Sequence, residues 1–168
     1  MPLARPKAAI WLYRQAHALV TLGHRAGLRR PPEHPLNAAH PPVTTATLAA
    51  FSDAWNRHDV DALMSFMHDD CVFQTAAGNE ACGTRHVGRD AVRKAFAAAW
   101  AAVPDAQWTR GKHFVHGDFG VSEWTFTGTA ADGSRIETDG VDLFTFKDGR
   151  IQTKNVFRKT RPNLPAAK

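Results

Sequence analysis

Helical periodicity in the first half of the folded part, followed by strands punctuated by turn dipeptides, predicts an α+β domain. Leu48, Phe51 and Trp55 recur at helical spacing, and so do Val92, Phe96 and Trp100. From Gln107 onward the apolar runs are broken by Gly117-Asp118, Asp132-Gly133 and Asp148-Gly149, which are signals for antiparallel hairpins. The 168 residues are 43% hydrophobic and 22% charged, enough to bury an ordinary globular core.

Taken in order, Thr44 or Thr45 caps a first helix that runs to about Asn56. Asp59 starts a second, shorter helix through Leu63, Phe66 and Met67. After Asp69-Asp70 the run Cys71 to Thr75 reads as a strand. Ala76 to Val87 is rich in glycine and polar residues and reads as a loop. Gly88-Arg89-Asp90 opens a third helix that must end by Pro104. Four strands then follow, Trp108 to His116, Gly120 to Ala130, Ile136 to Phe146 and Ile151 to Arg158.

The charge divides the chain. Residues 1–42 hold six basic residues (Arg5, Lys7, Arg14, Arg25, Arg29, Arg30) and the single acid Glu33, which accounts for the whole formal charge of +5. Residues 43–168 are neutral, so the folded part lacks the basic stripe of a nucleic-acid reader. Pro31-Pro32, Pro35 and Pro41-Pro42 mark a linker, and residues 1–42 are expected to be a flexible or partly helical extension that folding does not require. Residues 43–160 are expected to form the domain and 161–168 a tail. No apolar stretch approaches the roughly 18 to 20 residues of a spanning helix, and Arg14, Gln15 and His17 interrupt what would be a secretory segment. A cytoplasmic protein without membrane partners is expected.

Cys71 and Cys82 read as ordinary thiols, and nine scattered histidines carry no ligand spacing, so neither metal nor other cofactor is expected. The informative residue is Asp142. In strand alternation it shares a face with Phe144 and Phe146, which places a carboxylate on an apolar face. Such a group finds a hydrogen-bonding partner, stays protonated, or performs proton chemistry.

Four segments resemble a known superfamily: FSDAWNRHDVDAL from Phe51, FMHDDCVF from Phe66, GRDAV from Gly88 and DLFTFKDGRI from Asp142. In this order, across roughly residues 44 to 160, they resemble the nuclear transport factor 2-like fold in its SnoaL-like polyketide cyclase and ketosteroid isomerase branch. The resemblance implies three helices packed in a curved, mostly antiparallel sheet that forms a cone with a pocket, and commonly a homodimer through the outer face of the sheet. It also implies that Asp142 stands where that branch keeps a functional aspartate. The positions of the branch's tyrosine and second aspartate look like Phe51 and Thr75 here, so the isomerase mechanism is not inherited.

Phe51, Trp55, Phe73, Phe96 and Trp100 are expected to line the pocket and to favour a small, flat hydrophobic ligand. By alternation with Thr125, Glu123 either shares the pocket with Asp142 or pairs with a neighbouring Arg or Lys, and the same alternation puts Trp124 and Phe126 on the face opposite the pocket, which motivates the homodimer. At most one of His113 and His116 faces the pocket. Asn155 or Lys154 lies across the last hairpin from Asp142, depending on whether the Asp148-Gly149 turn has two residues or three with a bulge. Two readings of function stay open: a cofactor-independent cyclase or isomerase acting through Asp142 on a small carbonyl compound, and a non-catalytic ligand-binding or dimerisation module.

Overall fold

A computed structural model describes residues 40–166. The expectations for residues 1–39 lie outside the described residues. Three helices, α1 (Thr45–Asn56), α2 (Val60–Phe66) and α3 (Arg89–Ala102), accompany six strands. These are β1 (Met67–Gln74), β2 (Arg85–Val87), β3 (Gln107–His116), β4 (Phe119–Thr129), β5 (Arg135–Lys147) and β6 (Arg150–Arg158). They form one curved, unclosed sheet in the order β2-β1-β6-β5-β4-β3. Only β1 and β6 run parallel; the other four pairs are antiparallel, three of them as the hairpin signals require.

The helices begin where the caps predict. Thr44 and Thr47 form a reciprocal capping box at α1, and the Asp59 carboxylate accepts from the Ala62 N–H at 2.9 Å to open α2. Gly88, with φ of 83°, turns the chain into α3. The guanidinium of Arg89 then donates to the carbonyls of Met67 and Met64 at 2.9 and 3.0 Å, tying α3 to the α2–β1 junction. Two elements differ from expectation. The first strand starts at Met67, directly from α2, and the glycine-rich segment before α3 contains the short strand β2.

One face of the sheet is inner and carries the core. Leu48, Phe51 and Trp55 of α1, Leu63 and Met64 of α2, and Val92 and Phe96 of α3 pack on Met67, Cys71, Phe73, Phe144, Phe146 and Ile151. Phe51 sits at the centre, edge-on to Phe66, Phe96 and Phe144 with ring centroids 5.8 to 6.3 Å apart. The C-terminal end of α1 is stitched to the start of β3: the Asn56 side chain accepts from the Trp108 N–H at 2.7 Å and donates to its carbonyl at 3.0 Å. That exchange holds Trp108 against Trp55, with ring centroids 4.9 Å apart.

Cross-strand register corrects the expected faces of β4. Ser122 pairs with Asp142 and Trp124 with Gly140, so Ser122, Trp124 and Phe126 share the inner face with Asp142. Trp124 and Phe126, expected on the outer face, are 3% and 6% exposed and form a second core cluster with Ala106. Alternation relates residues within one strand; which face of β4 meets Asp142 depends on the length of the connection at residues 130–134, and one residue either way reverses it. Residues at both ends of the described chain touch the domain. Val43 is in the core, Gly149 backs onto Pro41, and Leu164 exchanges two backbone hydrogen bonds with Arg135.

The Trp124 ring lies over Gly140, where a side chain at 140 would meet the indole and the Phe157 carbonyl. Gly140→Ala is therefore expected to lower unfolding free energy by about 1–3 kcal/mol, read from the urea midpoint. An unchanged midpoint would show that Trp124 does not depend on that glycine.

Candidate functional site

Asp142 is buried on the inner face, as its alternation with Phe144 predicts, and it has a buried cation for a partner. The Lys154 Nζ donates to Asp142 Oδ1 at 2.8 Å. The register of the last hairpin explains how they meet. Asp148 and Gly149, at φ of 50° and 70°, make a two-residue turn, with Lys147 paired to Arg150. A bulge at Gln152 then shifts the pairing, so that Val156 stands directly opposite Asp142 and Lys154 opposite Phe144. Lys154 reaches the carboxylate diagonally from the inner face. Asn155 pairs with Leu143 and belongs to the outer face.

The surroundings of the pair are aromatic. Lys154 Nζ lies 5.4 Å from the Trp55 ring centroid and 5.2 Å from that of Phe73, both within cation–π range. Burial pushes the Asp142 carboxyl above its ordinary range, opposed by the charge and hydrogen bond of Lys154. Burial likewise pushes the Lys154 ammonium below its ordinary range, opposed by Asp142. Both shifts run towards the neutral forms, so the proton affinities of the two groups lie closer together than those of a free aspartate and a free lysine. The indole N–H of Trp124 also favours the carboxylate electrostatically, but it does not reach hydrogen-bonding geometry. Two strands away from Asp142, on β3, His113 Nδ1 lies 2.8 Å from Ser122 Oγ of β4, in the row that continues to Asp142. Burial holds the His113 imidazole below its ordinary value, with Asp53 and Asp142 opposing.

Lys154 forms part of the wall of an inner cavity of about 470 Å³. Trp55, Phe73, Trp108, Trp124 and Phe126 supply its aromatic walls beside Val156 and smaller apolar residues, with Thr75 and Arg158 as further polar members. The indole N–H groups of Trp55, Trp100 and Trp124 are buried without a hydrogen-bond partner among the described residues. A larger groove, about 730 Å³, opens between the 76–83 loop and the outer face of the sheet, and includes Cys82, Glu123 and Asn155. It does not reach the ion pair. The inner cavity is the candidate site because it combines enclosure by aromatic rings with a buried titratable pair.

The expected site residues divide accordingly. Trp55 and Phe73 line the inner cavity. Phe96 supports both from beneath, at ring centroid distances of 4.8 and 5.0 Å, and Trp100 packs on Trp55 at 5.2 Å. Phe51 is core. His113 faces inward and His116 outward, but His113 bonds Ser122 instead of lining the cavity. Asp142 itself stands behind Lys154 and is not among the lining residues. Glu123 is corrected: it lies on the outer face opposite Val141 and pairs with Lys112 at 3.6 Å. Trp124, Phe126, Val156 and Arg158 are cavity residues that strand alternation alone does not assign, because their faces follow from two registers. No group of described residues has the composition of a metal site, and no described helix is long and apolar enough to cross a membrane.

A helix-packed, unclosed sheet around an inner cavity defines a class, and comparison with known proteins specifies it. The SnoaL-like domain matches residues 48–153, more than half of the chain, and the protein belongs to that family. It is similar to the structure of a candidate polyketide cyclase from Xanthomonas campestris, with TM-score 0.60 and 21% identity, covering 67% of this chain and 87% of that one. A protein with a ketosteroid isomerase-like fold from Catenulispora acidiphila, in complex with trimethylamine, has TM-score 0.59 and 18% identity over 68% and 86% of the two chains. A cystatin-fold protein from Novosphingobium aromaticivorans has TM-score 0.55 and 26% identity over 69% and 97%. Among curated proteins nothing matches the chain.

Removing one partner of the buried pair leaves an uncompensated charge. Asp142→Asn and Lys154→Met are each expected to cost about 3–5 kcal/mol. The double variant should lose clearly less than the two losses combined, a coupling measurable by chemical denaturation. Additive losses would show that the two side chains do not act as a pair.

Proposed function

We propose that the protein binds a small, flat, hydrophobic carbonyl compound in the inner cavity and moves a proton on it with the Lys154–Asp142 pair. The carrying observation is the buried ammonium at the wall of an aromatic cavity, with a carboxylate 2.8 Å behind it. A carbonyl oxygen at Lys154 would meet a hydrogen-bond donor in a place that excludes water, where such a donor is most effective on growing negative charge. Asp142 sets how readily Lys154 gives up its proton and takes it back. This supports enolisation or an aldol-type ring closure, reactions in which charge builds on a carbonyl or enolate oxygen. The fold it shares with candidate polyketide cyclases is consistent with that class and does not identify a substrate.

A second reading, a binding module without turnover, draws on one observation: Asp142 does not line the cavity. The two readings separate on the Asp142→Asn variant, with circular dichroism confirming its fold. Turnover of a cyclisable 1,3-dicarbonyl compound should be abolished, while affinity, followed by tryptophan fluorescence, stays within about tenfold, or 1.4 kcal/mol. Wild-type turnover in the variant would remove Asp142 from the reaction. Equal binding with turnover in neither protein would establish the binding module.

We also propose a homodimer through the outer face of the sheet. Phe114, Val121 and Leu143 form one cross-strand row there, beside the pair Val141 and Phe157. Phe114 and Phe157 are 64% and 51% exposed, large apolar groups on a face that a second copy would cover. Phe114→Glu with Phe157→Glu should shift the mass seen by light scattering to the monomer. A wild-type chain already monomeric at high micromolar concentration would refute the dimer.

A further inference from the structure

We infer that Lys154 is an amine nucleophile that condenses with the carbonyl carbon of a flat aromatic ketone, aldehyde or 1,3-diketone held in the inner cavity. The inference rests on the reading that this cavity takes a carbonyl compound, and adds a covalent bond to it. Three features separate Lys154 from the other described lysines. Lys94, Lys112, Lys147 and Lys159 are exposed, whereas Lys154 is buried. Its Nζ lies over the faces of Trp55 and Phe73, which are themselves cavity walls, so a flat ligand stacked there meets the nitrogen. Its hydrogen-bond partner is a carboxylate, a group able to take the proton that masks the nitrogen lone pair. A lysine placed only to neutralise Asp142 would not need to line a cavity of about 470 Å³.

The step balances without a further reactant. Asp142 accepts one proton from the ammonium, and the freed lone pair forms a C–N bond as the carbonyl π bond breaks towards oxygen. The carbinolamine oxygen takes up two protons, one from nitrogen and one returned by Asp142, and leaves as water. Overall, an ammonium and a carbonyl become an iminium and water, with one positive charge on each side. Asp142 and the ring faces of Trp55 and Phe73 then hold the iminium charge in place of the ammonium. An iminium draws electrons from the adjacent carbon more strongly than the parent carbonyl, which is the activation that enolisation or ring closure needs. Desolvation of Lys154, which favours the neutral amine, acts in the same direction.

The test uses the full chain and 1-phenylbutane-1,3-dione, an aromatic diketone whose condensation with an amine stops at a stable, ultraviolet-absorbing enaminone. Quenching of tryptophan fluorescence reports occupancy of the cavity, independently of bond formation. The expected result is quenching, a new near-ultraviolet band, and a mass gain of one diketone less one water on the peptide that carries Lys154. The double variant Asp142→Asn with Lys154→Met, which removes both charges together, should still quench and should form no adduct. Quenching of the wild-type chain without an adduct, or an adduct confined to the exposed lysines, overturns the covalent step and leaves the binding reading standing. Absence of both quenching and adduct overturns the two together.

Discussion

A carboxylate and an ammonium, 2.8 Å apart and both buried, impose the constraint around which the inner face of this protein is arranged. Withdrawing two charges from water costs several kcal/mol per ion, and only close contact and a well-matched environment offset it. The contact requires Lys154 and Asp142 on the same face of neighbouring strands, and the bulge at Gln152 sets that face for the second half of β6. Trp55 and Phe73 complete the environment by presenting ring faces to the cation, and Phe96 holds both rings from below. The hydrogen bonds between Asn56 and Trp108 extend the same wall by fixing β3 to α1.

From that constraint the division of labour between the two faces of the sheet follows. The inner face carries the core, the ion pair and the cavity, and two pairs of its polar side chains are bonded to one another, Lys154 to Asp142 and His113 to Ser122. The outer face carries Glu123, Asn155 and the exposed apolar rows, which cannot take part in chemistry at the pair because the sheet lies between them. A carboxylate in such a setting has a proton affinity tuned by its neighbour and is not an isolated acid. Family membership and structural likeness supply the frame, and the function we propose for it rests on Lys154, Asp142 and the rings around them.

Much of this was legible from residue order alone, for local reasons. Threonine and aspartate caps located the starts of α1 and α2, and turn dipeptides located the hairpins, because both act through hydrogen bonds and dihedral preferences within a few residues. Asp142 was placed on the buried face by alternation with Phe144, a relation inside one strand. Trp55, at a core-facing position of α1, and Phe73, on the inner face of β1, were likewise legible as cavity residues, whereas Phe51, Phe96 and Trp100 pack behind the wall.

What required the tertiary structure was every relation that crosses from one strand to another. Alternation puts Trp124 and Phe126 on the outer face and Glu123 beside Asp142, and the structure reverses all three, because alternation within β4 says nothing about its register on β5. The choice between Lys154 and Asn155 turned on a one-residue bulge at Gln152, which no side chain nearby announces. A slip of one residue exchanges the two faces completely, so small differences in loop length carry large consequences for which groups meet. The sequence by itself determined the α+β class, the order of elements and one buried carboxylate; only the folded sheet decided that its partner is a lysine, because pairing register is a property of two strands together and is written in neither alone.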